Sequence, residues 1–470
     1  MPPGSLLTEE PRLMLKRFNP LCRLAVVAAL ALVGLVAGPA PQAGAAAPGV
    51  TAQGTTLLTS RGHTALTYTG YMNGESFQQE GITSYRGWQY AVYWDSSSHV
   101  NISRRQLPSG GWQNLTLTDY TTTSTDSHNV ISLGISRADG TIHLAFDMHA
   151  STLRYRRSVA GLANDPGRFS WTADAFGATQ SQLTGSTVTT VTYPAFIDAP
   201  GGRLQLALRT GTSGSGDEVL YEYAGGSWSH LGRFLDGVSN NQNAYLFGIE
   251  YDGGGRLHMT WTWRETSNAS TNHDLMYAYS TDLGRTWRNN SGAVIGTTGS
   301  RSITSASAGV KVWSIGQNRG LINQESQVVD GSGVVHVLAS HLPAGAASQS
   351  DFTTARETAV LVHYHRDTSG GWHQTYTPFL ERSSRGDIGV DSGNNLYVVS
   401  GDSKTHKLHI QTASRSSGWS DWTLRYTSAA IYFSDPLLDH AHLRDDNLLT
   451  IFTPQYGGSR IDIQDWKVTA

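Results

Sequence analysis

The sequence predicts an all-β chain, a seven-bladed β-propeller of four-stranded antiparallel blades. Three observations predict it. A hairpin turn rich in Asp and Gly recurs along the chain, a further alternating strand after most copies ends near a tryptophan, and helix formers are sparse. The 470 residues include Gly 51, Trp 13 and Tyr 20, with few long Ala/Glu/Lys/Leu tracts, a composition that favours strands and tight turns. A formal charge of −3 is too near neutral for a nucleic-acid binder. An anionic ligand would have to be met by a local cluster of basic residues.

From the N-terminus, the first element is a targeting segment. Arg12, Lys16, Arg17 and Arg23 precede the apolar run LAVVAALALVGLVA, which leads through Pro-rich spacing to AGAAA, ending at Ala47. A basic region, an apolar core and a small-residue cleavage site make residues 1–47 a secretory signal peptide, removed on export. The apolar run falls short of the ~20 residues that a membrane span needs. Cys22, the only cysteine, precedes the apolar core, so the exported chain is thiol-free and depends on a large packed core. The expected product is a secreted, extracellular monomer with no membrane attachment.

Residues 48–470 show no composition break and read as one domain. The hairpin recurs in YRGWQYAVYW (from Tyr85), DGTIHLAFD (from Asp139), GGRLQLALR (from Gly201), GGRLHMTWTW (from Gly254), GSGVVHVLAS (from Gly331), GNNLYVVSG (from Gly393) and DDNLLTIFT (from Asp445). The following strands run toward Trp228, Trp287, Trp372 and Trp419. A period of roughly 50 to 80 residues, each repeat built of antiparallel strands, indicates propeller blades rather than a two-sheet sandwich. The last strand, IDIQDWKV from Ile461, is expected to pair with an N-terminal strand near TLLTSRGHTALTY and so remove the open edge. Ser280, Asp282, Gly284, Thr286 and Trp287 fit S-x-D-x-G-x-T-W, the Asp-box turn, a structural motif.

In an antiparallel hairpin, residues just before the first strand and just after the second share one rim. His128 and Asn129 enter one hairpin and His149 leaves it; Tyr193 enters the next and Arg209 leaves it. The same rule sets Asn243 and Tyr245 opposite Arg264, Asn323 opposite His341, and Arg385 beside Asp402. His143, His258 and His336 repeat at one slot inside the second strand, which marks packing. His363, His365, His373, His406 and His409 fall in outer-strand sequence and are expected at the surface. No H-x-H or HExxH spacing converges with carboxylates on the rim, so no metal or cofactor is expected for catalysis, a structural Ca2+ at a blade turn being left open.

The rim shows no close carboxylate pair of the glycosidase kind and no nucleophile elbow. Two imidazoles, a phenol and a guanidinium suit β-elimination from a uronate. Arg209 can neutralise the sugar carboxylate, helped by Asn129 and a histidine. A neutral His or an ionised Tyr then takes the C5 proton, and a second group protonates the departing oxygen.

The run HN…LGIS…DGTIHLAFDMH, followed by TYP, LALR, HMTWTWRE, NHDLMYAYSTDLGRTW and INQESQVVD, resembles the BNR-repeat propeller family that includes ulvan lyases. The resemblance covers most of residues 60 to 460, and is most specific in the His128–His149 hairpin and the Tyr193/Arg209 pair. It implies a secreted polysaccharide lyase that cleaves 4-linked glucuronate or iduronate, next to rhamnose, in an anionic uronate-containing polysaccharide. It also implies catalytic roles for His128, His149, Tyr193 and Arg209. His273, in NHDL, corresponds to a further substrate-binding histidine, and Asn129, Tyr245, Arg264, Asn323 and His341 complete the expected substrate-binding rim. Some relatives carry structural metals, but a cysteine-ligated site is excluded here. Two alternatives stand beside the lyase: a rhamnosidase- or sialidase-like hydrolase using Glu265, Glu325 or Asp387, and a non-catalytic glycan-binding propeller.

Overall fold

The computed structural model describes residues 47–469 apart from 65, 68–69, 79, 381–383 and 434. The segment read as a signal peptide therefore lies, but for Ala47, outside the described residues. Seven antiparallel blades follow one another along the described residues, with a two-stranded pairing of Leu66–Thr67 and Gly70–Tyr71 ahead of the first. The first blade is Ile82–Tyr85, Trp88–Trp94, His99–Gln106 and Gln113–Thr121, and the second is Ile131–Ile135, Ile142–Phe146 and Tyr155–Arg157. The third is Val191–Ala199, Arg203–Thr212, Ser215–Ala224 and Ser227–Leu235. The fourth is Asn243–Tyr251, Leu257–Arg264, Asn272–Ser280 and Thr286–Arg288, extended by Val294–Thr297 and Lys311–Trp313. Ser326–Val329, Val335–His341, Val360–Arg366 and Trp372–Leu380 form the fifth blade; Asp387–Val390, Leu396–Gly401, Leu408–Ala413 and Thr423–Thr427 form the sixth.

The seventh blade takes Leu437–Leu438, Leu448–Pro454 and Ile461–Thr469 from the end of the chain and Gly49–Thr59 from its beginning. That pairing runs from Gly49 opposite Thr469 to Thr59 opposite Ile461. The ring is thus a seven-bladed propeller, closed as the terminal strands predict. The second blade lacks a regular fourth strand; isolated pairings of Tyr155 with Gln180 and Ser158 with Phe176 stand in its place.

The recurring Asp has a local cause. Asp252 Oδ1 accepts the Gly254 and Arg256 amides, Asp330 Oδ1 those of Ser332 and Val334, and Asp391 Oδ1 those of Gly393 and Asn395. Each carboxylate closes its own turn and sets the register of the hairpin behind it. The repeated histidine slot is packing, as expected. His143 and His258 share hydrogen bonds with Tyr155 and Tyr277 on the third strand, at 2.6 and 2.8 Å, and His336 with His363 at 3.0 Å.

The outer-strand histidines require a correction. His363, His365 and His409 are buried, because a blade's third strand is covered by its neighbour: His336 and His365 both pack edge-on against Trp419 of the next blade. His373 is exposed, as expected.

Between the third and fourth blades, Asp282 accepts the Thr286 amide at 2.8 Å. Trp287, fully buried, stacks on Phe234 with ring centroids 5.4 Å apart. Trp287→Ala should lower unfolding free energy by about 3–5 kcal/mol. Leu57→Ala, on the exposed outer face of the closing strand, should change it by about 0.5 kcal/mol or less. Urea denaturation of the two variants checks both.

Candidate active site

The site rests on a floor made by residues 72–78, MNGESFQ. Asn73 is bonded to the first blade, accepting the Trp94 amide at 2.7 Å and donating to the Trp94 carbonyl at 2.9 Å. Three residues on, the Ser76 hydroxyl donates to the Gln324 carbonyl, at the entry to the fifth blade. Phe77, buried, is the hub of the rim. His128 stacks on it at 5.2 Å and 7°, Tyr193 leans against it at 5.4 Å, and the Arg385 guanidinium lies 5.3 Å from its centroid. Ser76 and Gln78, on either side of Phe77, line a separate central channel of about 690 Å3 together with Glu325 and Asp387.

His128 and His149 bracket the second blade's inner hairpin and meet face to face, ring centroids 4.2 Å apart at 17°. One carboxylate holds both. His128 Nδ1 lies 2.6 Å from Asp126 Oδ1, and His149 Nδ1 lies 2.6 Å from Asp126 Oδ2. His149 sits in a sharply bent loop, flanked by Asp147 and Ala150 in the left-handed region at φ 57° and 48°. A groove of about 270 Å3 opens beside it, lined by Ser124, Asn129, Ser151 and Arg154 among others.

Tyr193 stands on a β-bulge: Thr192 pairs with Arg209 and Ala195 with Ala207, leaving Tyr193 and Pro194 out of register. Its φ of 56° turns the ring toward the imidazoles, 6.0 Å from His128 between centroids. Arg209, 1% exposed, lies over Tyr193 at 4.8 Å and donates to Thr192 Oγ1 at 3.0 Å and the Tyr245 hydroxyl at 3.4 Å. Arg264 lies over Tyr245 at 4.3 Å and donates to the Tyr245 hydroxyl, Asn272 Oδ1 and Asn323 Oδ1. The Asn323 carbonyl accepts Arg385 Nε, which returns the circuit to Phe77. Residues of separate blades thus form one contiguous cluster.

Electrostatics set the state of these groups. Burial holds His128 below the ordinary imidazole value, with Asp126 only partly opposing, so the ring is neutral at pH 7. Burial pushes the Tyr193 phenol up to about 12 despite the nearby Arg209, so the phenol keeps its proton. Burial raises Asp126 too, but hydrogen bonds from both imidazoles overcome it and hold the carboxyl well below its usual range. Beneath the arginine, buried Glu218 is raised to about 8. Beside Arg385, buried Glu75 is raised well above the ordinary carboxyl value by burial and by neighbouring Asp435. Two carboxyls near the rim are therefore shifted toward their protonated form, which weakens the negative charge facing the guanidiniums.

Of the residues read from the sequence, His128, His149, Asn129, Tyr193, Arg209, Tyr245, Arg264 and Asn323 come together. Asn129 serves the turn, its amide donating to Ser124 Oγ and the Asp126 carbonyl. Tyr245 is buried and in contact with two guanidiniums. His341 does not join them: its Nδ1 donates to the Leu342 carbonyl and its Nε2 accepts from Tyr364 in its own blade. His273 is set apart as well, clamped between Glu265 at 2.6 Å and Asp274 at 3.1 Å. Arg385 pairs with Asp435 rather than Asp402, whose carboxylate caps the Lys404 and Thr405 amides. The hydrolase candidates are dispersed: Glu265 is held by His273 and Gln242, while Glu325 and Asp387 line the channel. Sequence reading missed Asp126, Phe77, Thr192 and the buried neighbours Glu75 and Asp435. The D-x-H spacing of Asp126 and His128 was the available signal.

Asp126, His128 and His149 place three donor atoms within 4.8 Å of one another. Ligands of one tetrahedral Zn2+ lie about 3.3 Å apart at ordinary bond lengths. The 2.6 Å contacts are hydrogen bonds, so this set fits an orienting carboxylate and fits a metal poorly.

Residues 88–379 match the family described as "BNR repeat-containing family member". Among curated proteins, the long isoform of ulvan lyase from Alteromonas sp. (strain LOR) is 30% identical over 212 residues, 36% of this chain and 21% of that protein. The corresponding protein of Pseudoalteromonas sp. (strain PLSV) is 29% identical over 212 residues, with the same 36% and 21% coverage. The chain matches about a fifth of the length of these relatives. Among solved structures, polysaccharide lyase Uly1 superposes with a TM-score of 0.69 at 18% identity, covering 88% of this chain and 99% of that one. An ulvan lyase bound to -[GlcA(1-4)Rha3S]- gives 0.60 at 14% identity, covering 88% and 96%. These structural likenesses establish the shared fold.

Glu218 carries a stability prediction. Its carboxyl ionises near 4.5 when unfolded and near 8 when folded, so the unfolded chain binds fewer protons between those values. The contribution present below pH 4.5 is lost progressively as pH rises to about 8. Glu218→Gln should remove this slope and exceed the wild type at pH 8 by more than about 1 kcal/mol, in urea titrations run at pH 5 and pH 8.

Proposed function

The chain belongs to the BNR repeat-containing family, and from that membership and the geometry of its rim we propose a secreted polysaccharide lyase acting on 4-linked uronate by β-elimination. The substrate class, glucuronate or iduronate next to rhamnose in an ulvan-like polymer, is supported by the names of the relatives and by the glucuronate-rhamnose ligand of one structural neighbour. The enzyme acts as an exported monomer, without a catalytic cofactor or membrane attachment. No helix of the described residues is long and apolar enough to cross a membrane.

One observation carries this reading: a buried guanidinium with neutral hydrogen-bond partners lies over a phenol that stands beside a stacked imidazole pair. Arg209 meets the uronate carboxylate and, with Arg264 behind Tyr245, lowers the energy of charge building on it as the C5–H bond breaks. The C5 proton passes to a neutral imidazole. The electron pair forms the C4–C5 double bond, and the C4–O bond breaks. Tyr193, held in its protonated form, gives its proton to the departing oxygen. The phenol is restored by proton return from the imidazolium beside it, and the cycle closes with no net change in the enzyme.

Incubation with ulvan should raise the absorbance of the unsaturated uronate in step with new reducing ends. New reducing ends without that chromophore would reject elimination. Tyr193→Phe should lower kcat by about 10²–10⁴-fold with a modest change in KM. Arg209→Ala should lower kcat/KM by about 10²–10³-fold. Steady-state kinetics on the polymer separates the two effects.

A further inference from the structure

We infer that Asp126 is a positioning residue that joins His128 and His149 into a single base, accepting the Nδ1–H hydrogen bond of both rings and turning both Nε2 atoms toward the substrate. The inference rests on the lyase reading for its consequence, but not for its geometry. At 2.6 Å from each carboxylate oxygen, both rings donate Nδ1–H to Asp126; a ring in its one-proton form then carries its lone pair on Nε2. Two rings that share one acceptor and stack 4.2 Å apart at 17° point their Nε2 atoms the same way.

The carboxylate is itself built in. Asp126 Oδ1 also accepts the His128 amide at 3.0 Å, the Asp126 amide donates to Ser124 Oγ at 3.1 Å, and its carbonyl accepts both the amide and the side chain of Asn129. This explains why Asn129, read as a substrate ligand, faces the turn.

The pair has a defined capacity. A proton arriving on either Nε2 is stabilised by the carboxylate through the same ring and opposed on the second ring by its charged neighbour. The other groups around the pair do not replace Asp126. Arg385, beyond Phe77, disfavours imidazolium, while Glu75 and Tyr193 are neutral. Asp147 is occupied by Tyr120 and Thr122, with Arg154 at 3.9 Å. The stack therefore takes one proton per turnover, whichever ring receives it.

Asp126→Asn tests this, because an amide offers one acceptor and one donor group. Only one ring can keep Nδ1–H; the other must present Nδ1 as acceptor and move its proton to Nε2, where it cannot act as a base. Nitrogen-15 histidine spectra of the folded wild type should show both rings as Nδ1–H tautomers, and the variant should show one switched. On ulvan, kcat should fall about 10–100-fold with little change in KM. The acid limb of the rate profile should move to lower pH, since imidazolium loses its carboxylate. Asp126→Glu keeps both acceptors and should recover a larger share of kcat than Asp126→Asn. Spectra and acid limb unchanged in Asp126→Asn would overturn the inference. If wild type releases no unsaturated uronate, the lyase reading falls, while the tautomer spectra still decide the part assigned to Asp126.

Discussion

Ring closure is the constraint on which the site depends. Gly49–Thr59 and Ile461–Thr469 pair over their whole length, with irregularities at Ala52/Gly54 and Leu57/Thr59, and so fix where the first and last blades meet. Leu58, Ile463 and Phe452 of the seventh blade pack with Ile82 and Ala91 of the first, sealing that seam with apolar contact. None of the candidate site residues belongs to this apolar seam. They nonetheless come from the second, third and fourth blades and from the entries to the fifth and sixth. Their spacing is a property of the whole ring, and a few ångströms of opening would separate the imidazoles from the phenol. The floor transmits the constraint: residues 72–78 are tied at Asn73 to one blade and at Ser76 to Gln324, far around the disc, with Phe77 between.

Within that frame the mouth can attract an acid although the chain carries a net charge of −3. Arg209 and Arg264 share the Tyr245 hydroxyl and are otherwise held by Thr192, Asn272 and Asn323, all neutral. Arg385 pairs with Asp435, which leaves Glu75 nearby to stay protonated. Glu218, next to Arg209 across the strand pair, does the same. Burial that would be costly for an unpaired carboxylate instead favours the protonated form of these two, so less negative charge opposes the guanidiniums, which themselves form no exposed basic patch.

The parts of this arrangement that were legible in the sequence are those that follow strand periodicity. The Asp-Gly turns, the histidine slot at His143, His258 and His336, and the placing of Tyr193 and Arg209 at one end of the same hairpin all derive from the hairpin. The strand-end rule gives height on the disc but not radius or side-chain direction. Hence His341, at the end of a second strand like Arg209, turns into its own blade, and His273, opening a third strand, sits too far out. His363 and His409 were misread for a related reason: a third strand looks outward in one blade but is covered by the next. Phe77 and Asp126 belong to irregular segments, where no period marks a residue as central.

The backbone shows where rigidity has been traded for reach. Left-handed φ values at Asp147, Ala150, Thr190 and Tyr193 cluster in the two hairpin ends that carry His149 and Tyr193. Non-glycine residues held there cost about 1–3 kcal/mol each and persist only when their surroundings over-determine them. Here they do. Pro194, which has no N–H for the ladder, sits at the bulge of an edge strand, and its carbonyl is taken at 2.7 Å by the Ser132 hydroxyl of the preceding blade. The blade that supplies the imidazoles thereby also fixes the bulge that supplies the phenol. The strained backbone, the hydrogen bond between blades and the hub at Phe77 all act on one distance, that between the imidazole pair and Tyr193, which the proposed proton return would have to cross.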